Sequence, residues 1–312
     1  MSDGGKFQFG DDAVALPKGA WARTERRTLR WNGRSVLSLS QGRHRAYVFP
    51  LYTPKGFAVT SECPADHPHH NSLWIAADHV HCQMPAAGDR FEDYTYNFYL
   101  DETFQGRAPG HIVETDVTSA RSGANGFQIA QTLEWRGPVE WAAPLGRVAA
   151  TEVRTFSIEA ASQMLIIDVD SQLSAVDWTF TLGPTRHAYF NVRVAESIAV
   201  ISGGAVVDDR GLRNADAITG AGSRWIDYSG PVGGGAVAGV AVCPHPRDHD
   251  ETTWFVTDWG VVTVGPFRNR SRRVEKGTSI RLRYRVLVHD GDAEEAQVAN
   301  RLREYLASST TN

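Results

Sequence analysis

The strongest constraint on this chain is a series of short segments in which apolar and polar residues alternate, separated by Gly- and Ser-rich turns at spacings near ten residues. Residues 111–117, 127–135, 148–158 and 164–173 carry it, and 28–31, 35–39, 46–52 and 280–288 continue it. Side chains along a strand point alternately to two faces, so such a segment buries one face and leaves the other wet. Asn32-Gly33 stands between two alternating runs, the strongest short-range signal for a hairpin. Many short strands with regular turns predict an all-β protein built as a large antiparallel sandwich or barrel. We expect more than ten strands.

One stretch departs from this period. Asp292 is a good N-cap, Glu295 stands where a capping box needs it, and Ala296, Ala299, Leu302 and Leu306 follow at helical spacing. A single C-terminal α-helix is therefore expected near 292–307. Residues 1–18 are polar and read as a loose lead-in. Residues 78–110 read as an irregular insertion of the kind that often forms a lid or binding loop. No repeat or low-complexity linker interrupts the rest, so 19–312 is taken as one domain.

Composition narrows the function. Of the 312 residues 42% are hydrophobic, enough for a sizeable core. The formal net charge of −4, with mixed signs, lacks the basic footprint of a nucleic-acid binder. No run of eighteen apolar residues is present, and Met1 to Lys6 opens no apolar leader. Three cysteines, Cys63, Cys82 and Cys243, show no metal or disulfide spacing and suit a reducing cytoplasm. The expectation is a cytoplasmic protein with a small-molecule ligand and neither a membrane nor a nucleic-acid partner. Homo-oligomerisation is left open.

Chemistry concentrates in Asp66-His67-Pro68-His69-His70-Asn71, followed by Trp74. Imidazole titrates nearest neutrality, so three of them beside a carboxylate suit proton transfer or metal binding. Pro68 fixes its own φ and has no N–H, which puts the cluster on a rigid loop. A second constellation, Arg186-His187-Ala188-Tyr189-Phe190-Asn191, reads as a strand with His187, Tyr189 and Asn191 on one face as a polar pocket wall. Further aromatic and acidic residues lie at 224–230 and 254–260, Trp254 and Asp258 among them. Aromatic faces suit the C–H faces of sugar rings, while His, Asn, Asp and Arg suit their hydroxyls. A metal site drawn from His67, His69, His70, His79 and His81 is the alternative, but no carboxylate completes an H-x-H ligand pattern, so neither metal nor cofactor is expected.

Asp66-His67-Pro68-His69-His70, Trp225-Ile226-Asp227-Tyr228-Ser229-Gly230 and the 254–267 stretch together resemble a bacterial family labelled PmoA-like, over about residues 46–288. That label implies a methane oxygenase subunit, a membrane copper enzyme whose spanning helices this sequence lacks. Thr185-Arg186-His187-Ala188-Tyr189-Phe190-Asn191 is similar to the Thr-Asn-His-Ser-Tyr-Phe-Asn stretch of aldose 1-epimerases. In those enzymes the histidine protonates the sugar ring oxygen and an earlier histidine loop contacts the sugar, the place that His69-His70 matches. The turn at Val274-Glu275-Lys276-Gly277-Thr278 is also similar. The resemblance implies a galactose mutarotase-like β-supersandwich with its site on a concave sheet face. It also implies a glutamate base before the final turn. Between Thr252 and Val274 Asp258 is the only carboxylate, so simple mutarotation does not carry over.

The reading is a carbohydrate-active enzyme doing acid–base proton transfer on a sugar or oxidised sugar derivative, by epimerisation or β-elimination. His187 is expected as acid, Asp258 or Asp66 as base or orienter, and His70 as a second acid or substrate contact. His69, Asn71, Trp74, Arg186, Tyr189, Asn191 and Trp254 are expected to contact substrate. A non-catalytic carbohydrate-binding module is the alternative from another class; it would need the tryptophans but not the imidazoles.

Overall fold

The computed structural model describes residues 6–12, 25–123, 125–249 and 253–308. Among them 21 strands form three sheets of eight, eight and five strands, antiparallel save for one short parallel contact between Arg90–Asn97 and Ala108–Pro109. The first sheet carries Glu25–Trp31, Arg34–Gln41, Ala46–Leu51, Leu73–Ala77, Ala188–Arg193 and Val261–Val264 side by side. The second is built on the long strands His111–Arg121, Gly126–Arg136, Val148–Ala160, Met164–Ser174 and Ser279–Asp290.

These two sheets face one another. Tyr189 of the first stacks on Trp135 of the second at 6.1 Å, and Phe190 on Tyr284 at 4.2 Å. The alternation seen in the sequence is the burial pattern itself. Gly126–Arg136 buries Phe127, Ile129, Gln131, Leu133 and Trp135 and turns the residues between them outward. The Asn32-Gly33 turn closes the expected hairpin, with Trp31 opposite Arg34 and both turn residues at positive φ.

Three expectations shift. Phe7–Asp12, within the expected lead-in, is an edge strand on Glu25–Trp31, because Phe7 buries itself against Phe127 at 5.6 Å. The boundary set at residue 18 lies outside the described residues. The expected insertion at 78–110 instead supplies the hairpin Val80–Ala86 and Arg90–Asn97 to the third sheet, with Val80, Cys82 and Met84 on its buried face. At the C-terminus the capping box forms as read. Asp292 Oδ1 accepts from the N–H groups of Glu294 and Glu295 at 2.9 Å, and Glu295 answers the Asp292 N–H at 3.2 Å. It closes a turn, however, because Gln297 sits at φ 54°, and the helix runs Val298–Ser308. Its buried stripe is therefore Val298, Leu302 and Tyr305, packed on Trp225, Ala241, Cys243 and Leu287, while Ala299 is exposed. A short second helix, Ala215–Ile218, is capped by Asn214. No helix among the described residues is long and apolar enough to cross a membrane.

Candidate active site

One row of side chains runs across four strands of the first sheet: Tyr47 is the partner of Trp74, Trp74 of Asn191, and Asn191 of Thr263. Directly opposed residues share a face, so this row makes a floor. Loop 63–71, the turn at 257–260 and the segment around Tyr99 close over it.

Arg45 fixes the loop. Its guanidinium is wholly buried and has no carboxylate partner among the described residues. It donates to Asn71 Oδ1 at 2.8 Å, to the Tyr99 carbonyl at 2.8 Å and to the His69 carbonyl. It also lies over the Trp74 and Tyr99 rings. Burial lowers its pKa to about 10, so it stays a cation at neutral pH. Above Trp74 the rings stack in a column: Trp74 to His70 at 5.1 Å, His70 to His67 at 4.8 Å, and His67 to Trp259 at 4.3 Å.

The column decides what its histidines can do. Burial, followed by the charges of His69, His67 and Arg45, drives the pKa of His70 far below 6.5. Burial and Arg45 bring His69 to about 4. Both rings are neutral at pH 7, and His70 is only 3% exposed. His70 is thus a packing ring whose Nε2 meets the Tyr99 hydroxyl at 3.5 Å, in place of the second acid or substrate contact expected from sequence.

His187 is differently situated. It precedes the strand Ala188–Arg193, and its side chain keeps 21% of its surface in solvent. Its Nδ1 stands 3.1 Å from Asp78 Oδ2, and its Nε2 accepts from Arg186 Nε at 3.2 Å. Asp78 follows the apolar strand Leu73–Ala77 and is itself buried. Burial would raise its pKa, but hydrogen bonds from His187 and Thr185 and the charge of Arg107, 3.1 Å away, hold it lower. An ionised Asp78 holds the Nδ1 proton and so puts the lone pair on Nε2, where the Arg186 Nε–H meets it; Nε2 can take a proton once that N–H turns away. Tyr99 lies against His187 at 5.1 Å and against His70 at 6.2 Å, so one phenol ring joins the two histidine motifs. Phe104 closes the other side at 5.8 Å.

Other expected residues sit elsewhere. Asp66 holds Arg193 through two contacts of 2.9 and 3.0 Å, and Arg193 lies over Trp259, so Asp66 braces the loop rather than orienting His187. Asp258 is exposed in the 257–260 turn, with no hydrogen bond or ion pair from its carboxylate to His187. Tyr189 is fully buried between the sheets, bonded to Ser171 at 2.8 Å, because the Ser171–Glu152 network and the Trp135 ring hold it there. Asn191 is likewise buried, accepting from Thr263 at 2.8 Å and donating to the Tyr189 and Trp74 carbonyls. Trp254 is a core residue whose indole N–H bonds to the Ser223 carbonyl at 2.7 Å. Trp74 and Asn71 form the floor beneath the loop, and Arg186 stands exposed at the rim. A cleft of about 300 Å³ opens on the far side of His69, lined by Arg43, His44, Tyr47, Cys63 and Asp101 among others. Of the remaining candidate ligands, His79 faces the Pro184 carbonyl and His81 pairs with Asp93. Among the described residues no three His, Cys, Asp or Glu side chains converge to hold a metal ion.

Sequence reasoning missed Asp78, Arg45 and Tyr99. Asp78 had a signal: a carboxylate that directly ends a five-residue apolar strand needs a partner to offset its burial.

The family model DUF6807, described as a family of unknown function, matches residues 26–303, and the chain belongs to that family. That match lends nothing to the PmoA-like likeness of the motifs. No curated protein matches the chain. Among solved structures, a "putative aldose 1-epimerase" from Klebsiella pneumoniae aligns at 11% identity over 99% of this chain and 97% of its own, with a TM-score of 0.41. A "putative mutarotase" from Salmonella typhimurium aligns at 12% identity over 85% and 94%, with a TM-score of 0.30. The Slr1438 protein of Synechocystis aligns at 11% identity over 90% and 98%, with a TM-score of 0.33.

Proposed function

We propose, for a chain whose family assigns it no chemistry, that it is a carbohydrate-active enzyme in which the Asp78–His187 dyad moves a proton on a sugar or sugar derivative. The observation that carries this reading is the 3.1 Å contact between buried Asp78 and partly exposed His187, whose Nε2 meets Arg186 at the rim. A carboxylate behind one ring nitrogen fixes the tautomer and steadies the imidazolium that forms when the other nitrogen takes a proton. His187 then serves as base and, once protonated, as acid. The sugar class is supported by Phe104 and Phe255, partly exposed around a rim that also carries arginine and histidine. In this reading the dyad replaces the base expected at Asp258 or Asp66, and 19–312 acts as one domain in the cytoplasm.

The test is a panel of sugars and sugar acids followed by proton NMR in deuterated water. Wild-type protein should exchange a ring or anomeric proton, and His187→Ala should lose this by roughly 10²–10⁴-fold while keeping its melting temperature. Ligand binding without exchange by the wild type would make the protein a binding module instead.

A further inference from the structure

Beside the dyad lie two guanidinium groups that no carboxylate answers. Arg186 has its guanidinium carbon 5.1 Å from the centroid of the Phe255 ring, and its Nε donates to His187 Nε2 at 3.2 Å. Arg268, just after the strand Val261–Val264, lies 6.0 Å from the same ring and spends one N–H on the Trp254 carbonyl at 3.3 Å. Neither forms an ion pair among the described residues. The other arginines of the site are committed: Arg107 to Asp78, Arg193 to Asp66, and Arg45 to four oxygens. Two cations over one phenyl ring repel each other, and burial together with the charge of Arg186 lowers the pKa of Arg268. Like charges collected at a site rim without a counterion make an anion site, and guanidinium forks match a planar carboxylate best.

We propose that Arg186 and Arg268 bind the carboxylate of an acidic sugar, an inference that rests on the dyad reading above. The placement explains itself chemically. A carboxylate held by Arg186 brings the carbon next to it up to His187 Nε2, and a phosphate ester would put two more atoms in between. Once Arg186 turns its Nε–H from His187 Nε2 to the bound carboxylate, Nε2 takes the proton from that carbon. The C–H electron pair forms a C=C bond to the carboxyl carbon, whose two oxygens carry the charge against the arginines. The pair then either returns to carbon with a proton from water on the opposite face, giving the epimer while His187 gives its proton to solvent, or expels the oxygen substituent on the adjacent carbon, which leaves with its pair and takes the proton from His187 Nε2. Both fates begin with the same exchangeable proton.

The experiment titrates galacturonate, galactose 6-phosphate and galactose into wild type, Arg268→Gln and Arg268→Lys by calorimetry, with melting temperatures as the folding control. In parallel, loss of the proton α to the carboxylate of galacturonate is followed in deuterated water. Galacturonate should bind the wild type most tightly. Arg268→Gln should weaken it about 10- to 100-fold, as expected for a charge-assisted hydrogen bond, and Arg268→Lys less. Galactose affinity should not respond to either variant. Equal affinity for galactose and galacturonate, or an unchanged Arg268→Gln, overturns the subsite, and tighter binding of galactose 6-phosphate overturns its carboxylate class. Galacturonate bound through Arg268 without proton exchange refutes the dyad's proton transfer and leaves the subsite standing.

Discussion

Replacing Asp227 by Asn should expose a buried charge pair that the site does not use. His289 and Asp227 are both fully buried, Nε2 to Oδ2 at 2.7 Å, with His289 Nδ1 on the Gly291 carbonyl at 3.1 Å. Burial alone would lower the pKa of His289, but the charge and hydrogen bond of Asp227 outweigh it and raise the value above 6.5. A raised histidine contributes stability that is fully present below its unfolded pKa and is lost as pH rises through its folded pKa. Breaking one side of a buried pair costs about 3–5 kcal/mol, and the low end applies here because His289 can shed its proton. Asp227→Asn should therefore destabilise by about 3 kcal/mol at pH 6, and the deficit should shrink by up to about 1.4 kcal/mol per pH unit from pH 6.5 upward. Urea unfolding followed by tryptophan fluorescence from pH 6 to 9 measures it. The readout is the difference between the two proteins, since His44, His69, His70 and His245 have lowered pKa values and tilt both profiles the opposite way. A deficit below about 1 kcal/mol, or one flat in pH, would refute the reasoning.

Arg45→Met should cost about 3 kcal/mol or more and speed hydrogen exchange across 63–71, since it removes four hydrogen bonds and leaves the His69 and Tyr99 carbonyls unanswered; an unchanged loop would count against its role as anchor. Glu152→Ala should cost about 3–5 kcal/mol because it leaves buried Arg154 and the Trp135 N–H unpaired, whereas Glu152→Met with Arg154→Leu should recover much of that loss in urea titrations. Acid should open the histidine loop first. The penalty for protonating His69 is absent above pH 6.5 and grows as pH falls toward its folded value of about 4, so exchange at 63–71 should rise there before exchange in Met164–Ser174; simultaneous loss would contradict this.

Much of the fold was legible because a sandwich buries one face of each strand, and Gly126–Arg136 or Val148–Ala160 states that face residue by residue. The insertion at 78–110 escaped because its hairpin exposes Phe91, Glu92 and Asp93 on the outer strand, which blurs the period. In the candidate site, His187 and the histidine loop stood out as imidazoles in apolar surroundings. What alternation cannot tell is whether a face meets solvent or another sheet, which is why Tyr189 and Asn191, read as pocket wall, are buried. Asp78 and Arg268 reach His187 and Arg186 from more than eighty positions away, and no local pattern encodes such pairing.

The most direct test of the central claim is the turnover of Asp78→Asn measured beside His187→Ala and the double variant, on whichever sugar the wild type processes. An amide in place of Asp78 can no longer hold the Nδ1 proton as an anion. Rate per folded molecule should fall by roughly 10²–10⁴, with KM little changed, and the double variant should be no slower than His187→Ala alone. Full activity in Asp78→Asn, or independent multiplicative losses in the double variant, would contradict a dyad that acts as one unit.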